Sequence, residues 1–531
     1  MAINRPKVVI IGAGMAGLTA ANKLFKSQKQ SNAFELCVVE GGSRIGGRIK
    51  TCQLGGDRIE LGATWIHGIE NSPVYKIAQE MNALNSDQPW ERMDGFVGDS
   101  ITIAEGGFEL HPSLVHRVSR LFKSLMAFVR GKNDECDEFS VVNCGSDYQS
   151  VGCFLRKGLE EFLGSVKNGD EDVTGYGNWT ETMLIESIFT KYENMLRGYY
   201  SADDLKSIDF EAEKEFSMFP GEEITIAGGY FSIIESLASV LPHDVIQLGR
   251  KVERIDWEPS SSVGTGRPVK LHFSDGSMLE ADHVIVTVSL GVLKAGILDD
   301  PGMFSPPLPD NKTEAISKLG YGVVDKLFLQ LDPSHDQQTD QISRFPFLEM
   351  VFHDFGSKMK DPEIPWWIRK TSSLCPIYSK SSVLLSWFAG KEALALESLG
   401  DEEILNKVSK TISSFLSKSG KPCSGNSSSL DKYTGREFKF TNLLKSQWGT
   451  DPLFLGSYSY VAVGSSGDDI EKLASPLPNN SSAPPLQILF AGEATHRTHY
   501  STTHGAYLSG IREAERLLQH YGYTSAPYTS G

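Results

Sequence analysis

The chain has 531 residues, 40% apolar and 22% charged, with a formal net charge of −16. That length exceeds one ordinary core and implies two or three structural units of a soluble globular protein. The acidic balance excludes the basic footprint of a nucleic-acid binder, and seven irregularly spaced cysteines without a CxxC pair exclude a zinc knot or disulfide framework.

Taken in chain order, residues 8–11 (VVII) form an apolar strand that runs into Gly12-Ala13-Gly14-Met15-Ala16-Gly17. Gly12 permits the tight turn, Gly14 lets backbone approach a pyrophosphate, and Gly17 lets helix pack on strand. The helix it opens carries Met15, Leu18, Ala21, Leu24 and Phe25 on one face, and its N-terminus favours a phosphate. The strand FELCVVE ends in Glu40, a carboxylate placed for ribose hydroxyls, which disfavours a 2′-phosphate. Arg44-Ile-Gly-Gly47-Arg48 follows, with two arginines suited to a second clamp on the pyrophosphate or flavin.

Residues 76–220 are dominated by helical periodicity, as in SLVHRVSRLFKSLMAFV. A strand-rich block follows, VIQLGRKVERIDW and VKLHFSDGSMLEADHVIVTVS, with a hairpin turn at Asp275-Gly276. Residues 301–440 mix strands (VVDKLFLQL, SVLLSWFAG) with helices (EEILNKVSKTISSFL), and the last sixty return to strand, loop and helix. Stretches rich in Ser, Pro, Gly and Asn after Glu258, Lys421 and Ser475 read as surface loops, and 132–147 as a mobile connection. The fold expected is α/β and α+β: a discontinuous Rossmann-like dinucleotide domain from 1–75, 221–300 and 441–531, and a mixed-sheet substrate domain covered by helices from 76–220 and 301–440.

Glu40 to Arg48, then Glu60-Leu-Gly62-Ala63-Thr64-Trp-Ile-His67-Gly68, then Phe490-Ala-Gly-Glu493 and Thr502-Thr503-His504-Gly505 together resemble the flavin amine oxidases. Within these the pattern is similar to the polyamine and spermine oxidases, and most to the plant cytosolic branch that oxidises thermospermine and spermine. The resemblance implies non-covalent FAD between the two domains, contacted by Gly12, Gly14, Met15, Gly17, Glu40, Arg44, Gly47, Arg48, Gly62, Ala63 and Thr64. It places Val252 at adenine, Glu493 at the ribityl–pyrophosphate region and Thr503 at the pyrimidine end.

Amine oxidation moves a hydride equivalent from a carbon beside a neutral nitrogen, yet polyamine nitrogens titrate near the lysine value of about 10. The site must desolvate the cation or accept its proton. Lys326, on an apolar strand face with Val324 and Phe328, needs a partner or a depressed pKa; the resemblance assigns it a water at flavin N5. His67 stands where spermine-oxidising members carry histidine, able to take a proton or bond a substrate nitrogen. Tyr458 and Tyr460 are candidates for cation–π contact, and Thr502 for substrate contact where other members carry an aromatic ring. Carboxylates for a long polycation could come from Glu181, Glu186, Asp209, Glu211 or Glu213.

The expected electron acceptor is O2 or another oxidant; no metal, nucleic acid or membrane partner is expected. The opening MAINRPKVVIIG lacks a signal pattern and the tail SAPYTSG lacks an SKL-type address, so a cytoplasmic protein is expected. A monoamine oxidase would carry a flavin-attaching cysteine in the last block, and a histone demethylase a long coiled-coil insertion; neither is seen. An N-acetylpolyamine oxidase or a flavin-bound scaffold without turnover are the remaining alternatives.

Overall fold

The computed structural model describes residues 5–27, 33–85, 100–132, 148–166, 176–258, 266–299, 302–332, 345–378, 381–416, 438–478 and 484–523. The predicted connection at 132–147 from residue 133 on, the loop stretches 259–265, 421–430 and 479–483, and Cys136, Cys144 and Cys423 lie outside these residues.

The first strand, Lys7–Ile11, is the centre of an all-parallel five-stranded sheet. It pairs with His283–Val286 on one side and Glu35–Val39 on the other; Ile488–Phe490 and Ile246–Gln247 are the edges. These segments are continuous apolar runs because both sheet faces are covered. The sheet therefore draws on the beginning, middle and end of the chain. A four-stranded sheet lies beside it, with the order Met278–Ala281, Val269–Phe273, Val252–Trp257 and Phe304–Ser305. Its first two strands meet in the predicted hairpin, where Gly276 takes φ 79°.

The helix Met15–Ser27 buries Met15, Leu18, Ala21 and Leu24, with half-buried Phe25 on the same core. It packs on the last helix, Thr503–His520. The two can approach because a side chain at Gly510 would stand 2.3 Å from the Ala16 carbonyl oxygen.

The second layer is a mixed seven-stranded sheet in the order Phe440–Lys445, Val324–Leu331, Val383–Ala389, Ser373–Pro376, Leu348–Val351, Ile101–Ala104 and Phe108–Glu109. Helices Pro112–Val129, Val151–Val166 and Glu181–Tyr200 form one core with it, and Asp401–Leu416 contributes to another. Three details depart from the segment-wise expectation. Within the helix-dominated 76–220, Ile101–Ala104 is a strand, in parallel register with Leu348–Val351. Phe440–Lys445 belongs to the seven-stranded sheet although the boundary was drawn at 440, and Phe304–Ser305 pairs with the four-stranded one. Such short strands carry too little periodicity to be assigned without their partners.

Helix propensity alone favours alanine over glycine by about 1 kcal/mol. Gly510→Ala is nevertheless expected to lower the apparent melting midpoint, because overpacking a tight crossing costs about 1–3 kcal/mol. A midpoint at or above that of the parent in thermal unfolding would contradict this.

Candidate active site

Among the described residues, a cavity of about 980 Å³ lies between the two layers, at the top of the size range of ligand sites, roughly 1,000 Å³. It runs from Gly12, Gly14 and Glu40, past Arg48 and Glu493, to Lys326 and His67.

At the first end, Gly12 has φ 105°, and a side chain there would collide with Thr287 Oγ1 at 2.5 Å. At Gly17 it would stand 2.0 Å from the Gly12 carbonyl oxygen. Gly14 differs: a Cβ there would find nothing nearer than 3.9 Å, so this side of the turn is an open cradle before the helix N-terminus. Met15 lines the same end. Glu40 accepts hydrogen bonds from the Ala13 N–H (2.8 Å) and the Gly42 N–H (2.7 Å), one on each oxygen. A carboxylate accepts about four hydrogen bonds, so capacity remains for two ribose hydroxyls. Val252, preceded by Arg250 and Lys251, lines this end too. An open cradle, an available carboxylate and a cavity of this volume fit a dinucleotide.

Arg44 and Arg48 part company. Arg44 turns back into its own loop and donates to the carbonyls of Ile45 (3.0 Å), Ile49 (3.1 Å) and Gly47 (2.6 Å). It is absent from the cavity wall and shapes the loop instead of clamping a ligand. The cause is local: Gly46 and Gly47, at φ 101° and 57°, curl the backbone around the guanidinium. Arg48 does reach the cavity, donating to the Ser457 carbonyl (2.6 Å) and pairing with Glu493 (3.0 Å). The other Glu493 oxygen accepts from Ser459 Oγ (2.6 Å) and the Ser501 N–H (3.0 Å). Glu493 thereby ties residue 48 to the final block.

Lys326 sits on Val324–Leu331, the second strand of the seven-stranded sheet, buried, on the cavity wall. Its ammonium donates to the carbonyls of Glu60 (2.7 Å) and Gly62 (2.6 Å) and to Thr64 Oγ1. It also lies 4.6 Å from the centre of the Trp387 ring. Burial pulls the Lys326 pKa down, partly opposed by the nearby Glu60 carboxylate. Burial pushes Glu60 up, against hydrogen bonds from the Tyr230 N–H and Thr51. A side chain at Gly62 would stand 1.8 Å from the Arg48 carbonyl oxygen, and the Ala63 N–H donates to that same oxygen at 3.2 Å. Residues 62–64 are thus pressed between Arg48 and Lys326.

His67 follows the short strand Trp65–Ile66, whose antiparallel partner Ile224–Thr225 brings Glu223 opposite it. His67 Nδ1 lies 3.0 Å from Glu223 Oε1, and both line the cavity. Thr502 caps the last helix: its hydroxyl accepts from the Gly505 N–H (2.9 Å) and donates to the His499 carbonyl (2.7 Å). That commits its proton, although Thr502 still lines the wall beside Thr503. The Thr503 hydroxyl bonds that of Tyr230.

Tyr458 lines the cavity and donates to the Gly198 carbonyl, and burial raises its pKa. Tyr460 does not line it. Its ladder partner is Gly320, and its ring fills the space that glycine leaves, away from the cavity wall where substrate contact is expected. None of the five carboxylates considered from sequence lines this cavity. Glu181 pairs with Arg117, Glu211 with Lys214, Asp209 accepts from the Ala212 N–H, and Glu213 accepts from Tyr200 and Tyr500. Glu186 lines a second cavity of about 620 Å³. The chamber's acids are instead Glu223 and Glu349, and Trp387, Tyr199 and Trp448 supply rings that sequence reasoning missed. The only signal for Trp387 was its place in a predicted strand; its pairing with Lys326 is tertiary information.

Such a cavity can hold a dinucleotide with a second ligand beside it, the arrangement of a dinucleotide-binding protein. Comparison with known proteins narrows this. Residues 15–518 match the family model for flavin containing amine oxidoreductase. An Arabidopsis thaliana relative named probable polyamine oxidase 5 is 52% identical over 97% of this chain and 99% of its own. Polyamine oxidase 1 of Oryza sativa subsp. japonica is 42% identical over 98% of both chains. The human peroxisomal N(1)-acetyl-spermine/spermidine oxidase is 33% identical over 97% of this chain and 95% of its own. The chain belongs to the flavin-containing amine oxidoreductases, and its cofactor is FAD.

Replacing Glu493 by Gln removes the charge partner of Arg48. A hydrogen bond to a charged group is worth about 1.5–3 kcal/mol, so the Kd for FAD is expected to rise on the order of tenfold or more. Titration of apoprotein with FAD, followed by flavin fluorescence, checks this; an unchanged Kd would contradict it.

Proposed function

We propose that the protein is a polyamine oxidase acting on a secondary amine of spermine or thermospermine. The observation that carries the reading is Lys326, a cation buried on the wall of an apolar chamber that is continuous with the dinucleotide cradle. The names of the plant relatives support the substrate class.

FAD, when bound, takes up a hydride equivalent from the carbon beside the amine nitrogen. The protein's part is to present that carbon with its nitrogen neutral. Trp387, Tyr458 and Tyr199 surround the alkyl chain and exclude water, which favours loss of the amine proton. His67, oriented by Glu223 at Nδ1, leaves Nε2 to hydrogen-bond a substrate nitrogen or accept its proton. Lys326, whose three N–H donors rest on Glu60, Gly62 and Thr64, turns one of them to a water at the junction of chamber and cradle. The helix N-terminus at Thr503 directs its dipole to the same junction and stabilises negative charge there. Arg48, Glu493, Glu40 and the glycine turn hold non-covalent FAD. Water then hydrolyses the imine product to a shorter polyamine and an aminoaldehyde, and O2 or another acceptor takes the electrons. The protein's site of action in this reading is the cytoplasm.

Anaerobic mixing of holoenzyme with spermine or thermospermine is expected to bleach the oxidised-flavin absorbance, with mass spectrometry showing spermidine as a product. A flavin that stays oxidised with both amines would sink the reading. Lys326→Met should retain FAD yet react on the order of 100-fold more slowly in reduction or reoxidation; wild-type rates in both half-reactions would remove its assigned role.

A further inference from the structure

Register across the seven-stranded sheet places four cavity-lining residues in one row. Lys326 pairs with Trp387. The Cys375–Leu385 and Pro376–Leu384 pairing, continued along the same strands, sets Ser373 beside Trp387. Ser373 in turn pairs with Glu349. Laterally paired residues share a sheet face, and all four line the chamber. Three strand spacings separate the ends of the row, about 14 Å.

Glu349 is prepared for a ligand. Lys191 Nζ and Thr102 Oγ1 both donate to Oε2, and among the described residues no hydrogen bond falls on Oε1. Lys191 lines the second cavity as well as the first, so its ammonium has space to move into.

We propose that Glu349 anchors the distal ammonium of a tetraamine through Oε1, making the row from Lys326 to Glu349 a length gauge; this rests on the polyamine reading above. In spermine or thermospermine an inner nitrogen and the far terminal nitrogen are separated by roughly nine bonds, or about 11 Å at about 1.2 Å of advance per bond. A charge-assisted hydrogen bond of about 2.8 Å completes the span. A triamine such as spermidine reaches only about 6 Å from its inner nitrogen by the same count and falls short. Lys191 holds the carboxylate in place and keeps the chamber neutral until the substrate cation arrives.

The test compares kcat/KM for spermine and spermidine in holoenzyme variants. Glu349→Gln should lower the spermine-to-spermidine ratio on the order of 10- to 100-fold, mainly through the KM for spermine. Glu349→Asp, which withdraws the carboxylate by one methylene, should fall between. Lys191→Met should lower the KM for spermine. A loss falling equally on both substrates marks an ion pair that only supports the sheet and overturns the proposal, as does an unchanged ratio. A wild-type flavin that neither amine bleaches would remove the polyamine reading itself, a result separable from a wild type that turns over while E349Q keeps its ratio.

Discussion

The structure depends on a buried ammonium. Lys326 rises from the second strand of the substrate-side sheet, and among the described residues its hydrogen bonds go to oxygen atoms of residues 60–64, which belong to the segment following the cofactor loop. An unpaired charge at that depth would cost several kcal/mol. The lysine therefore holds that segment against the sheet and fixes where the chamber meets the cradle.

The same segment is held from the opposite side. Gly62 lies against the Arg48 carbonyl, and the Arg48 guanidinium meets Glu493 from the last block of the chain. A line of contacts thus leads from the second strand of the seven-stranded sheet, through residues 60–64 and Arg48, to Glu493 beyond the edge strand of the other sheet. Cofactor grip and substrate positioning are mechanically joined. The chain's two ends must both be in place for either.

Much of the cofactor side was legible in sequence because its information is contiguous. Strand, glycine turn, helix and terminal acid follow each other within 34 residues of the first strand's start at Lys7, and each obeys a local rule. The chamber was less legible because its residues meet through register between distant strands. His67 meets Glu223 across a two-residue ladder, and Trp387, Ser373 and Glu349 line up with Lys326 only once three pairings are known. Local reasoning also erred in informative ways. Arg44 and Arg48 look equivalent in RIGGR, but two left-handed glycines turn the first inward. Tyr458 and Tyr460 look equivalent in YSY, but a glycine across the ladder claims the second ring. The five acids offered as candidates from sequence lie off the chamber wall, four of them held by hydrogen bonds or ion pairs and Glu186 at the second cavity.

The most direct measurement is a crystal structure of the FAD holoenzyme with an unreactive tetraamine analogue. The account predicts an extended ligand crossing the face of Trp387, its inner nitrogen within hydrogen-bonding reach of His67 or the water held by Lys326, and its far end at Glu349. A ligand seated in the second cavity, or running away from the Lys326–Trp387 row, would contradict it.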